Sequence, residues 1–308
     1  MVDNAKIHIH HLTRVEGHGD ITAVIEGGEL KEIRFAVVEA PRFFEAFLRG
    51  KAYEQVAHLA SRVCGICAVS HRAAALKAVE AAFDVQISEQ SALLRRLAFH
   101  GEVLSSHILH LYFLVAPDYL DLPSILHLAA TDRETVERAM RLKRLAYDLC
   151  TEVIGRHTHP VAMNVGGFSF VHNEEALMRV KERLLEGMED IRKTISLFRS
   201  FSLPTFERET EYVSLKHASV YPFYEGELFS SDGKTLTPEA YQSGIHEYVQ
   251  PYSTAKYARW NRPEYMVGAL ARLNNNHSLL GPMAMEAAED LKIKVPCHNP
   301  FMNCAAQV

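Results

Sequence analysis

Isoleucine and histidine take turns over residues 6–12, and that period of two predicts a strand with one apolar and one polar face. Two further apolar runs, 20–26 and 30–38, flank Gly27-Gly28 and predict a β-hairpin. Residues 39–45, with Pro41 near their start, predict the first turn of a short helix. Beyond that point the spacing changes to three and four. Residues 53–61, 73–83, 89–114 and 134–154 all read as helix, with Pro117-Asp118 ending the third of these runs and Gly155 stopping the fourth. A further helix is expected over 173–198, and shorter ones over 263–274 and 282–291. Residues 202–251 break into short strands and loops punctuated by Gly226 and Gly233. The pattern contains no repeat, low-complexity tract or clear linker. The expected class is α+β, mainly α: one domain over 1–308, with a small N-terminal antiparallel sheet in 1–40 and a long-helix bundle in 41–308.

Composition narrows the function classes. A chain of 308 residues that is 48% hydrophobic can bury a large core. Its net charge of -5 argues against a nucleic-acid binder, which would carry a basic stripe. No stretch approaches the roughly 18 apolar residues of a membrane span. Met1-Val2-Asp3-Asn4-Ala5-Lys6 has neither an apolar signal core nor twin arginines. Five cysteines make an odd, unevenly spread set rather than a disulfide framework, so a reducing, cytoplasmic setting is expected.

Two of those cysteines lie in Arg62-Val63-Cys64-Gly65-Ile66-Cys67-Ala68-Val69-Ser70-His71. A C-x-x-C turn lets two sulfurs converge on one point, and Gly65 allows the backbone to fold that tightly. A helix beginning near Cys67 would place His71 one turn later on the same face. A pair of small buried residues beside a surface histidine is the bland reading, yet pairs at this spacing more often bind metal or do redox chemistry. A thioredoxin-like dithiol follows a strand, whereas residues 53–61 read as helix. A structural zinc site needs a second ligand pair, and none follows at zinc-ribbon spacing. A site completed by a distant part of the chain or by a partner is the third option.

Other candidates are weaker alone. Glu16 lies in Thr13-Arg14-Val15-Glu16-Gly17-His18-Gly19, which reads either as an ordinary turn or as a carboxylate on a loop open to close approach. Glu45 reads as a surface helix residue or a ligand for a hard ion. His107 and His110 share a helix face, along with His100 nearby, and read mainly as hydrogen-bonded core or interface histidines. Cys150 reads as a core residue.

Together these residues resemble one family. The R-x-C-G-x-C-x-x-x-H run from Arg62 to His71 is similar to the N-terminal cysteine motif of the large, catalytic subunit of [NiFe] hydrogenases. Arg14-Val15-Glu16-Gly17-His18 resembles the family's R-x-E-G-H segment, and Arg42-Phe43-Phe44-Glu45, residues 155–167 and residues 267–274 follow in family order. The wording of the cysteine motif and of Pro41-Arg42-Phe43-Phe44-Glu45 looks most like the cytosolic bidirectional branch. The resemblance implies reversible heterolytic cleavage of dihydrogen at a Ni–Fe centre whose iron carries carbon monoxide and cyanide. It implies Cys64 as a terminal nickel thiolate and Cys67 as a thiolate bridging nickel and iron. His71 would bond near the bridging sulfur, Glu16 would relay protons if burial raises its pKa, and Glu45 would hold Mg2+. Arg14 and Arg62 would balance charge behind the ligands. Electrons would leave through iron–sulfur clusters of a small partner subunit, and further subunits would link to NAD(P), a deazaflavin or ferredoxin. Maturation proteins would install the centre.

One family feature is missing from these residues. The second C-x-x-C of the family, which supplies the other two nickel thiolates, is not found, and Cys297 and Cys304 do not reproduce it. The end of the sequence resembles an internal stretch of related large subunits. Three explanations fit: a longer subunit, thiolates from another polypeptide, or a chain that survives as a structural or electron-transfer scaffold. The joint presence of Cys64, Cys67, Glu16 and His71 speaks against the last.

Overall fold

The histidine–isoleucine run forms the strand Asn4–Ile9, which pairs antiparallel with Gly19–Glu26, and that strand pairs in turn with Glu29–Val37. These assignments come from a computed structural model that describes residues 3–308. The hairpin turns at Gly27 and Gly28, whose φ angles of 60° and 76° explain why two glycines stand there. This sheet belongs to the first of two compact units, residues 1–51 with 242–263. The later segment supplies a second hairpin, His246–Val249 with Lys256–Arg259. It is tied back to the sheet by Thr254 N–H on the Val37 carbonyl at 3.0 Å and by the Tyr257 hydroxyl on the Phe35 carbonyl. The short helix Phe43–Leu48 completes the unit.

The second unit, residues 52–241 with 264–308, is mainly helical. Its heart is the pair Glu89–Ile108 and Arg133–Ile154, against which Ala68–Ala82 packs through Val69, Ala73 and Leu76. The two long helices approach closely at Gly101, where a Cβ would lie 2.7 Å from the Cys150 sulfur. Cys150 is thus the packed core residue expected of it. Three of the longer helix starts are capped locally: Ser88, Asp132 and Asn173 each accept an N–H from the first turn. Gly155, at φ 80°, closes Arg133–Ile154 in the left-handed conformation. A second apolar cluster gathers Ile108, Leu111, Tyr112, Leu142, Phe198 and Cys304. A four-stranded sheet, in the order Tyr265–Met266, Glu211–Lys216, Glu227–Ser230, Thr235–Leu236, supports the helix Ala269–Asn276. Helix accounts for 47% of the chain and strand for 16%, so the expected class, α+β and mainly α, holds.

Three expectations are corrected. The run over 173–198 is two helices, Glu174–Glu186 and Met188–Arg199, which meet at Gly187 where a Cβ would press on Leu145 at 3.0 Å. Pro117 does not end the third helix. Glu89–Ile108 passes into a π-helical stretch, Leu109–Val115, and continues as Ala116–Tyr119. The widened turn has already interrupted the i→i−4 ladder, so a proline without an N–H is tolerated just after it. The helix expected from 263 begins only at Ala269, because Tyr265–Met266 pairs in parallel with Glu211–Tyr212 and Gly268 turns the chain at φ 100°. Among the described residues no helix is long and apolar enough to cross a membrane.

His107 and His110 do behave as hydrogen-bonded interior histidines: their Nδ1 atoms lie 2.9 and 2.6 Å from the Gln307 carbonyl and side-chain oxygens. Burial depresses His107 from 6.5 to about 4. Between those values the unfolded chain binds the proton and the folded chain does not. Stability present above pH 6.5 should therefore be lost as pH falls towards 4, by up to about 3 kcal/mol. Urea denaturation between pH 4 and 7 checks this: His107→Gln should flatten the slope, and an unchanged slope would assign it to other groups.

Candidate metal centre

The helix Tyr53–Ala60 ends in tight turns, with the Arg62 and Val63 amides donating to the Leu59 and Ala60 carbonyls at 2.9 and 3.1 Å. These turns deliver the chain to Cys64. Three residues later the Cys67 N–H points at the Cys64 sulfur, 3.3 Å away, so the first thiol lies over the backbone of the second. Neither is in a disulfide, and both are half-buried. A Cβ on Gly65 would touch only the Thr158 methyl, at 4.0 Å, so the 155–160 loop borders this turn.

Ala68–Ala82 springs directly from Cys67, which offers its first turn no side-chain cap. The missing cap comes from another helix. Glu102, buried in Glu89–Ile108, accepts the Val69 N–H at 2.6 Å, the Ser70 N–H at 3.1 Å and the Ser70 hydroxyl. An anion here also meets the positive end of the helix dipole. Burial nevertheless raises the Glu102 carboxyl above its ordinary range, against the pull of these hydrogen bonds.

The same burial, with the adjacent Cys64 sulfur and the Glu102 carboxylate, pushes the Cys67 thiol up to about 12. A cation that takes Cys67 as thiolate must displace that proton. His71 lies one turn into the helix, its N–H on the Cys67 carbonyl at 3.2 Å, and burial lowers its ring below the ordinary histidine range. Arginines and histidines lie beside the helix that leads into the turn. Arg62 is exposed. The His58 ring is depressed by burial and then by Arg62, Arg72 and Arg156. The His159 ring meets the Ser61 carbonyl at 2.7 Å.

Several buried charges that hold this region were not singled out in the sequence. Arg72 donates to the Met163 carbonyl at 2.7 Å and to Asn164 Oδ1 at 3.1 Å. Arg95, fully buried, makes a two-pronged pair with Glu80 at 2.6 and 2.8 Å and donates to the Asn164 carbonyl. Glu80 in turn accepts the Gly166 N–H at 2.9 Å. The available signal was a charged residue recurring on the apolar face of a helix.

Arg14, Glu16 and Glu45 belong to the other compact unit. Arg14 and Glu16 are exposed on the 11–18 loop, where Arg14 takes φ 64°. The burial on which the Glu16 relay was premised is not found around it. Glu39, passed over in the sequence, meets His18 Nδ1 at 2.7 Å, and a Cβ on Gly17 would collide with it at 2.8 Å. Glu45 is engaged by the Lys256 ammonium at 2.7 Å, which holds its carboxyl below the usual range, and Lys256 also meets Glu247 at 3.0 Å.

Among the described residues, the one group of three or more His, Cys, Asp or Glu side chains at metal-sharing distance is His8, His10 and Asp20. Cys64 and Cys67 therefore meet no third such ligand. Cys304 is buried with its thiol on the Phe301 carbonyl at 3.1 Å, and Cys297 lies in the core around Tyr212. Two soft thiolates suit nickel or iron, and they fill half of a four-thiolate set.

Comparison with known proteins gives this turn a context. Residues 42–147 match a family described as nickel-dependent hydrogenase. The chain is similar to the alpha subunit of sulfhydrogenase 1 from Pyrococcus furiosus, with 32% identity over 303 residues, covering 98% of this chain and 71% of that one. It is also 32% identical over 306 residues to a subunit of the F420-non-reducing hydrogenase vhu from Methanocaldococcus jannaschii, covering 91% of this chain and 73% of the relative. Among solved structures, an NAD+-reducing [NiFe]-hydrogenase in the H2-reduced state superposes with a TM-score of 0.86 at 28% identity, covering 98% of this chain and 74% of that one.

Glu102→Ala should loosen the cysteine turn without touching either thiol. Three hydrogen bonds are lost, two of them from backbone amides, so stability should fall by about 2 kcal/mol or more and hydrogen exchange at the Val69 and Ser70 amides should quicken at least roughly 30-fold. Unchanged protection at both amides would show that Glu102 does not carry that turn.

Proposed function

The chain belongs to the nickel-dependent hydrogenase family, and on that premise we propose that it is a hydrogenase large subunit that holds a Ni–Fe centre on Cys64 and Cys67. The observation that carries this reading is the turn itself, with the Cys67 amide on the Cys64 sulfur and the helix start clamped by Glu102. When bound, the Ni–Fe centre, with carbon monoxide and cyanide on iron, supplies the reversible heterolytic cleavage of dihydrogen. Cys64 and Cys67 would hold the centre as thiolates, Cys64 serving nickel and Cys67 serving nickel and iron, and further thiolates from outside the described residues would complete the set. His71, behind Cys67, tunes the electron density of that sulfur. The arginines beside the helix that leads into the turn, Arg62 among them, offset the charge of deprotonated sulfur.

Glu16 carries protons in this reading. Its exposure within this chain suits delivery to water, and a relay toward the thiolates needs it covered in the working assembly. Glu45 is proposed as a Mg2+ ligand. Magnesium would have to displace the Lys256 ammonium there, one cation replacing another on the same carboxylate. The proposal spans the whole of 1–308 as one large-subunit domain in the cytoplasm. It requires a small subunit with iron–sulfur clusters to take the electrons, further subunits linked to NAD(P), a deazaflavin or ferredoxin, and maturation proteins to build the centre.

One observation favours a second reading. Because Cys64 and Cys67 meet no third ligand among the described residues, a non-catalytic scaffold derived from the same family is the alternative. Metal analysis of the complex isolated from its host separates the two, with about one nickel per chain expected for the catalyst and none for the scaffold. Cys67→Ser should abolish hydrogen-dependent dye reduction, by more than the 10–100-fold typical of residues behind a ligand. Activity equal to the parent would end the catalytic reading. Glu16→Gln should leave nickel and iron content intact while slowing proton–deuterium exchange by about 100-fold or more. Exchange at the parental rate would remove Glu16 from the proton path.

A further inference from the structure

The N-terminal strand carries a second donor set with a different chemistry. Its period of two puts His8 and His10 on one face, and the pairing continues that face across the ladder. His8 stands opposite Thr22 and Ile9 opposite Ile21, so the next step brings His10 beside Asp20. The side chains follow the register: His8 Nδ1 lies 2.9 Å from the Thr22 hydroxyl, and His10 Nδ1 lies 2.9 Å from Asp20 Oδ1. One ligand atom from each of His8, His10 and Asp20 falls within 4.8 Å of the other two.

We propose that His8, His10 and Asp20 form a binding site for a divalent transition ion such as zinc. Two ligands held about 2.0–2.1 Å from one ion, at octahedral to tetrahedral angles, are separated by about 2.8–3.4 Å. The His10–Asp20 distance is close to that span. Asp20 is largely buried and is fixed by the His11 N–H at 3.1 Å, which also holds its carboxyl below the usual range. The Thr22 hydroxyl orients the His8 ring, the task that residues behind a ligand perform in metal sites. The His10 ring lies 3.8 Å from that of His11, and His11 lies 5.4 Å from His18, so the ligand rings belong to a packed row of imidazoles.

Two imidazoles with one carboxylate favour borderline ions over magnesium or calcium, which take all-oxygen shells. Because the two histidines are exposed, water can complete the coordination. The site needs neither thiol, so it stands or falls independently of the proposed Ni–Fe centre.

The full chain, stripped of metal and with its accessible thiols alkylated, should still take up about one zinc ion per chain in a calorimetric titration. In the same preparation Co2+ should give ligand-field absorption without a sulfur-to-metal charge-transfer band. His8→Gln, His10→Gln and Asp20→Asn should each weaken zinc at least tenfold while circular dichroism stays parental. Zinc uptake abolished by alkylation alone would overturn the proposal, and so would parental affinity in all three variants.

Discussion

The bond between the Glu102 carboxylate and the first turn of Ala68–Ala82 is the constraint on which the cysteine turn depends. A helix start leaves amides without partners, and other helices of this chain meet that need with Ser88, Asp132 or Asn173 of their own. At Cys67 a local capping oxygen would stand in the place of the thiol. Moving the cap to a neighbouring helix leaves a thiol at that position and ties the turn to the centre of the helical core. The cost is a buried carboxylate, kept in place because each of its oxygens has donors within reach.

A second layer of buried charge repeats the arrangement further along. Glu80 and Arg95 link Ala68–Ala82 to Glu89–Ile108, and both reach the backbone around Asn164 and Gly166. Arg72 binds the same stretch from its own helix. Replacing one member of such a set strands its partner in a medium that solvates charge poorly, typically costing about 3–5 kcal/mol. The strands at 163–168, too short to be stable alone, are held in place by these side chains.

What could be read from the sequence was local. The hairpin at Gly27-Gly28, the cysteine turn, the helix stop at Gly155 and the packed role of Cys150 follow from residue type and near-neighbour spacing. Features that depend on distant contacts were not legible. Glu102 stands 32 residues beyond Ser70, and only the packing of two helices makes it a cap. The strand at Tyr265–Met266 exists because Glu211–Tyr212 lies beside it, and no periodicity within 263–268 reports that. Likewise Glu45 looked like a solvated helix-surface carboxylate until the chain returned, some 200 residues later, with Lys256.

The π-helical stretch Leu109–Val115 has a consequence for how this fold tolerates change in chain length. A wide turn is what remains when one extra residue enters an α-helix and the faces on either side keep their orientation. Removing one residue there restores an ordinary turn and leaves the flanking core residues facing inward. The same deletion in the middle of Arg133–Ile154 would swing half of that helix by about 100° and turn its apolar stripe towards solvent. The chain thus carries, beside one of its cores, a place where insertion and deletion are nearly reversible operations.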